Sequence, residues 1–208
     1  MSQEPTQPDA TPDVFFTFDK KQAFPYPRSH YIKRMAWNAV RRTLFRFSPN
    51  RAVGWRRWLL RCFGARLGFG AGCRPTTVIW HPWLLEMGEH AMLGDRVVVY
   101  NLGPIRIGNH STVSQDAELC AGSHDYRDPT LPLLRPPVTV GHGVWVCAGA
   151  FVGPGVTVGD NSIVGARAVV TSDVPAEVIV GGNPAAVLKP RPMTPRAQPA
   201  GADEKPDA

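Results

Sequence analysis

A short series of valines constrains this chain more than any other feature. Val140, Val146, Val152, Val158, Val164 and Val170 recur at a spacing of six. The residue after each is small: Gly141, Cys147, Gly153, Gly159, Gly165 and Thr171. The fourth residue after each is small or β-branched: Val144, Ala150, Val156, Ser162, Ala168 and Val174. A period of six matches neither the turn of an α-helix nor the two-residue alternation of a strand. It predicts a coil with flat faces, in which each face turns a β-branched residue inward and each corner needs a small one. Short internal periods of this kind mark parallel β-helices.

The repeat extends upstream with interruptions. Leu67, Cys73, Ile79 and Leu85 keep the spacing; Met87-Gly88 and Leu93-Gly94 restart it two residues later, and Ile107-Gly108 follows Val99 after a step of eight. The segment 123–137 breaks the pattern with four prolines and several charges. It reads as a loop inserted into a regular solenoid, the kind of departure where function concentrates.

The flanks differ in character. Residues 1–27 carry five prolines and predict a flexible arm. Residues 28–66 predict basic amphipathic helices. In the first, Tyr31 to Phe47, an apolar stripe of Ile32, Met35, Ala36, Ala39, Val40, Leu44 and Phe47 is expected to pack on the solenoid's end. Ser48-Pro49 is expected to cap and start a second helix running to about Phe63, with Trp55, Trp58, Leu59, Cys62 and Phe63 apolar and Gly64 closing it. The solenoid then occupies 67–189, and a Pro/Ala-rich, disordered tail occupies 190–208. Of a net charge of +6, the cations gather here: no acidic residue stands between Asp19 and Glu86. That block suits solvent, or the surface of the inner membrane. It carries no nucleic-acid-binding motif. The polar, acidic N-terminus and the lack of any long apolar run predict a cytoplasmic chain. The four cysteines show neither zinc nor disulfide spacing.

Three stretches together resemble a known family. Ile107-Gly108, Gly122-Ser123-His124-Asp125-Tyr126 and Gly181-Gly182-Asn183-Pro184-Ala185 are similar to the hexapeptide-repeat O-acetyltransferases. Trp55-Arg56-Arg57-Trp58-Leu59-Leu60-Arg61-Cys62-Phe63-Gly64-Ala65 further resembles the colanic acid biosynthesis subgroup. The resemblance implies an all-β solenoid, a left-handed parallel β-helix, assembled as a homotrimer with acetyl-CoA between subunits. It also implies an acceptor on an exopolysaccharide sugar or its lipid-linked precursor.

Acetyl transfer to a hydroxyl needs a base, and histidine titrates in the right range. His124, at the start of the inserted loop, matches the family's catalytic position; His81, His90, His110 and His142 are expected to face solvent near corners, and His30 has no evident task. The resemblance assigns Asn101 to the acceptor. It assigns Trp145, Ala148, Ala166, Thr171 and Ser172 to the cofactor, with Lys189 and Arg191 supplying charge where relatives often carry Lys in place of Ser172. No Cys or Ser is paired for a covalent intermediate, so direct transfer is expected. A zinc site of the γ-class carbonic anhydrase type would need histidines returning to one face. The gaps His110 to His124 and His124 to His142 do not keep that register, so no metal is expected. The alternatives are an acyltransferase for another small acceptor, or a non-catalytic solenoid scaffold.

Overall fold

A computed structural model describes residues 28–193. The predicted arm over 1–27, and the predicted tail beyond residue 193, lie outside the described residues. From Arg66 the chain winds into a parallel β-solenoid of three faces, with five complete coils and the start of a sixth. The first face stacks Arg66–Leu67, Leu85–Met87, Ile105–Ile107, Val138–Val140 and Thr157–Val158. The second stacks Gly72–Cys73, Met92–Leu93, Thr112–Val113, Trp145–Val146, Ile163–Val164 and Val178–Gly182. The third stacks Val78–Ile79, Val98–Tyr100, Glu118–Cys120, Phe151–Val152 and Val169–Val170. A closing strand, Ala185–Pro190, runs back antiparallel along Val178–Gly182.

Strand register accounts for the irregular spacing. Thr139 pairs with Thr157, so the fourth coil holds 18 residues, three hexads, and Val158 pairs with Val174, so the fifth holds 16. Arg66 pairs with Glu86 and Glu86 with Arg106, so the early coils hold 20, and the two additional residues produce the upstream restarts. Arg106 pairs with Thr139 across 33 residues, 15 more than a regular coil. The register on all three faces resumes beyond the insertion.

The inward positions form one continuous core. Val113, Leu119, Val146, Val152, Val158 and Val164 are all fully buried. The second small position of each hexad is buried too, and there Ser162 satisfies its hydroxyl by donating to Pro175 O (2.6 Å). Corner glycines are required by the coil above. A Cβ on Gly108 would lie 2.5 Å from the backbone of Gly141, so any side chain there would push two coils apart.

Two helices cover the first coil: α1, Arg28–Val40, continued by a π-helical segment Arg41–Phe45, and α2, Val53–Cys62. Trp37, Phe45, Leu59 and Leu60 join the solenoid core, and the Trp37 indole donates to Ile79 O (2.7 Å). The predicted sealing of the solenoid end is therefore present, but the predicted stripe does not perform it. Ile32, Met35, Ala36, Ala39, Leu44 and Phe47 face outward, with only Val40 partly buried. Periodicity identifies apolar positions, whereas docking turned on Trp37 and Phe45, which lie off that stripe. Ser48 also differs from expectation. It ends the first helical segment by donating to Phe45 O (2.7 Å), and α2 starts at Val53 with no side-chain cap.

Arg56 is the fully buried cation of the basic block. Its Nε donates to Cys73 O (2.8 Å), and its Nη atoms donate to Ser48 Oγ (2.9 Å), Pro49 O (2.7 Å) and Asn50 O (2.8 Å). One guanidinium thus ties α2, the interhelical turn and the first coil together. Arg56→Ala should lower the unfolding free energy by about 2–4 kcal/mol, because it strands buried acceptors. Arg56→Lys should recover little of this, since an ammonium cannot span the same fork. Urea denaturation of the three proteins checks both.

His81 corrects a second expectation. It is fully buried, and its Nδ1 lies 2.9 Å from Asn101 O. His30 and Trp83 pack their rings against it at 5.1 Å and 5.0 Å. Burial lowers its pKa to about 4, with the neighbouring His30, Arg34 and Arg135 acting in the same direction and the Asn101 backbone opposing. The folded state therefore favours neutral His81, while the unfolded chain protonates it near 6.5. Stability should be full above pH 6.5 and decline as pH falls toward 4, by roughly 3 kcal/mol from this group. Urea midpoints across that window should show the decline, and His81→Gln should flatten it.

Candidate active site

The inserted segment leaves the solenoid at the edge where the third face turns into the first. It opens with a short antiparallel pair, Ser123–His124 against Leu133–Leu134. Asp125 N–H on Pro132 O (3.0 Å) and Leu131 N–H on Asp128 O (2.8 Å) close it on itself. Gly103 in the coil beneath lets the returning strand come near, since a Cβ there would lie 2.4 Å from Arg135 O. The loop is thus a folded projection.

His124 is exposed at the base of this projection, and its Nδ1 lies 2.6 Å from Leu131 O. A carbonyl oxygen only accepts, so neutral His124 carries its proton on Nδ1 and presents a lone pair on Nε2. Asp125 does not orient this imidazole; its carboxylate is engaged by the Arg127 guanidinium at 2.8 Å and 2.9 Å, which holds it below the usual carboxylate range. Instead the imidazole is held by the backbone carbonyl of Leu131, a residue with φ of 47°. Sequence reasoning missed it, because a main-chain oxygen leaves no residue-type signal.

Asn101 lies on the same edge, one coil below, and is 0% exposed. Its Oδ1 accepts from His81 N–H (2.9 Å) and its Nδ2 donates to His81 O (2.6 Å). Its visible work is a rung between two coils under the loop. Thr171 and Ser172 follow the last strand of the third face and are exposed on that same edge, two coils above.

The other predicted residues lie elsewhere on the prism. Trp145 stands on the second face, 48% exposed, with its indole N–H on Ser114 Oγ (2.9 Å). Ser114, also missed from sequence, lines a groove of about 390 Å³ with Met92, Thr112 and Gln115. Ala148 and Ala166 occupy successive corners between the second and third faces. The Ala148 corner closes with Ala150 N–H on Cys147 O (3.3 Å) and Gly149 at φ 66°. That leaves the Ala148 N–H without an acceptor among the described residues. Lys189 is exposed on the closing strand, whereas the Arg191 guanidinium is spent on Gly143 O (2.9 Å) and Asn161 O (3.0 Å). One chain therefore brings Asn101, His124, Thr171 and Ser172 to one edge, and Trp145, Ala148 and Ala166 to another.

The remaining histidines do not gather around His124. His90 and His110 stack at 5.1 Å on corners with positive φ, and His142 Nδ1 accepts from Asn109 N–H (3.0 Å). Among the described residues no group of three His, Cys, Asp or Glu side chains could hold a metal ion. A groove of about 640 Å³ on the first face, lined by Arg66, Glu86, Arg106 and Asp160, contains none of the predicted site residues.

Comparison with known proteins agrees with this architecture. Residues 137–172 match the family described as bacterial transferase hexapeptide (six repeats). Over 160 residues the chain is 44% identical to the Escherichia coli K12 protein named "Putative colanic acid biosynthesis acetyltransferase WcaF", covering 77% of this chain and 88% of that one. The galactoside O-acetyltransferase of the same organism is 26% identical over 152 residues, 70% of this chain and 73% of that one. Among solved structures, a Vibrio cholerae hexapeptide-repeat acetyltransferase complexed with acetyl coenzyme A superposes with a TM-score of 0.72 at 26% identity, covering 80% of this chain and 91% of that one. With this fold, this loop and these relatives, the chain belongs to the hexapeptide-repeat acetyltransferases.

Proposed function

We propose that this acetyltransferase moves an acetyl group from acetyl-CoA directly onto a hydroxyl of an exopolysaccharide sugar or its lipid-linked precursor, with His124 as the general base. The single observation that carries the reading is the Nδ1 contact of His124 with Leu131 O, which leaves Nε2 able to take a proton. Acetyl-CoA supplies an activated acyl carbon. Nε2 of His124 removes the acceptor proton as the hydroxyl oxygen bonds to that carbon, and the open Ala148 N–H receives charge developing on the thioester oxygen. The C–S bond then breaks, and the imidazolium returns the proton to the departing sulfur. Trp145 gives the pantetheine arm an apolar wall. Ala166, Thr171, Ser172 and Lys189 continue the cofactor path, and Asn101 supports the acceptor side from beneath the loop.

His124 and Ala148 lie on different edges of one prism, so the reading requires a second copy. In a homotrimer, the His124 edge of one copy faces the Trp145 and Ala148 edge of the next, which also covers part of the outward apolar surface of the second face.

His124→Ala should reduce turnover by about a hundred- to ten-thousand-fold, with acetyl-CoA affinity changed less than about tenfold. His124→Asn should be nearly as damaging. Thiol release with a panel of sugars, beside calorimetric titration of acetyl-CoA, checks both; a folded His124→Ala protein with full turnover would remove the residue from the mechanism.

Ala148→Pro tests the oxyanion contact separately. Gly149 takes the third position of a turn whose second position welcomes proline, and the chain already has Pro154-Gly155 at its next corner, with Gly155 at φ 79°. The substitution should preserve the thermal midpoint and cost about a hundredfold or more in kcat. Co-expressing Ala148→Pro with His124→Ala should restore about a quarter of wild-type activity if each site spans two copies, and none if each lies within one chain.

A further inference from the structure

The helical cap has two apolar faces, and the solenoid uses one. Trp37, Phe45, Leu59 and Leu60 point into the core. On the other side Ile32, Met35, Leu44, Phe47, Trp55 and Trp58 are exposed, with Met35 at 71% and Phe47 at 81%. These residues belong to both helices yet form a joined surface at their centre. Trp55 stacks on Trp58 at 5.0 Å, and its indole N–H donates to Leu44 O (3.2 Å). A clustered aromatic and aliphatic surface of this kind differs from the single exposed apolar residues common on soluble proteins.

Charge narrows the choice of occupant. Arg28, Arg42, Arg46 and Arg51 are exposed on the same two helices and the turn between them, whereas Lys33 turns its ammonium onto the Trp83 ring (4.6 Å) and Arg61 donates to Leu67 O. The segment contains no carboxylate to offset them. A second copy seated face to face would press these cations against their own equivalents. Anionic lipid headgroups neutralise them instead, while the indoles and the Met35 and Phe47 side chains enter the boundary beneath the headgroups. No helix among the described residues is long and apolar enough to cross a membrane.

We propose that the outer face of the two-helix cap docks on the surface of an anionic lipid bilayer, with both helices lying in the headgroup plane. This adsorption is independent of the transfer chemistry.

The test is co-sedimentation of the full chain with phosphatidylcholine vesicles, alone or containing about a third phosphatidylglycerol. Partitioning should be at least about tenfold stronger on the anionic vesicles and should weaken in high salt. Met35→Glu/Phe47→Glu and Arg42→Glu/Arg46→Glu should each reduce it at least about tenfold, with solution mass and thermal midpoint unchanged. Absence of binding to the anionic vesicles, or equal binding to both kinds, would overturn the proposal. So would a Met35→Glu/Phe47→Glu protein whose solution mass or thermal midpoint shifts, since the face would then already be covered by another copy or by residues before 28.

Discussion

Coil-to-coil register is the constraint on which everything else in this molecule rests. Apart from Val178–Gly182 at the end of the second face, each face consists of two- or three-residue strands, far too short to persist alone. They persist because each strand finds its partner one full coil away. A coil with one residue too many would turn the inward valine outward and bring a polar neighbour into the core. The first two coils absorb two additional residues each, and the third absorbs fifteen, with the pairing beyond resumed on every face. That is possible where an insertion leaves and re-enters at one corner, so that the strands on either side never sense its length.

This exemption explains where the proposed chemistry sits. A residue inside the repeat is committed either to the core or to the ladder, and its neighbours above and below limit what it can become. His124 lies outside that commitment, yet it is well placed. The hairpin, the Asp128–Leu131 turn and the carbonyl of Leu131 fix its ring from within the loop. The scaffold contributes rigidity from below through Asn101 and its rung to His81. Corners offer the complementary resource, a main-chain N–H left open by the turn, as at Ala148.

An open stack also needs an end. The first coil has no ladder partner beneath it, and its inward residues would meet water. Helices solve this through one aromatic layer and one buried guanidinium whose donors satisfy the carbonyls that the missing coil would have left stranded. Having spent Trp37 and Arg56 inward, the same helices keep an apolar and basic surface outward.

The hexad was legible in the sequence because each inward position answers to a single local rule: a residue of the right shape every sixth place. Thus the solenoid, its corners, its interruption at 123–137 and the isolation of His124 could all be read from residue types alone. Resemblance, rather than spacing, supplied the expected handedness and the proposed cofactor positions. Tertiary structure alone decided which apolar residues of the cap turned inward, because periodicity ranks positions around a helix without knowing which side meets the solenoid. It alone showed His81 buried beside Asn101, and Arg56 as a brace rather than a surface charge. It also separated His124 from Ala148. Those outcomes depend on which groups end up within bonding distance across coils and helices, and main-chain partners such as Leu131 O carry no signature in the residue alphabet.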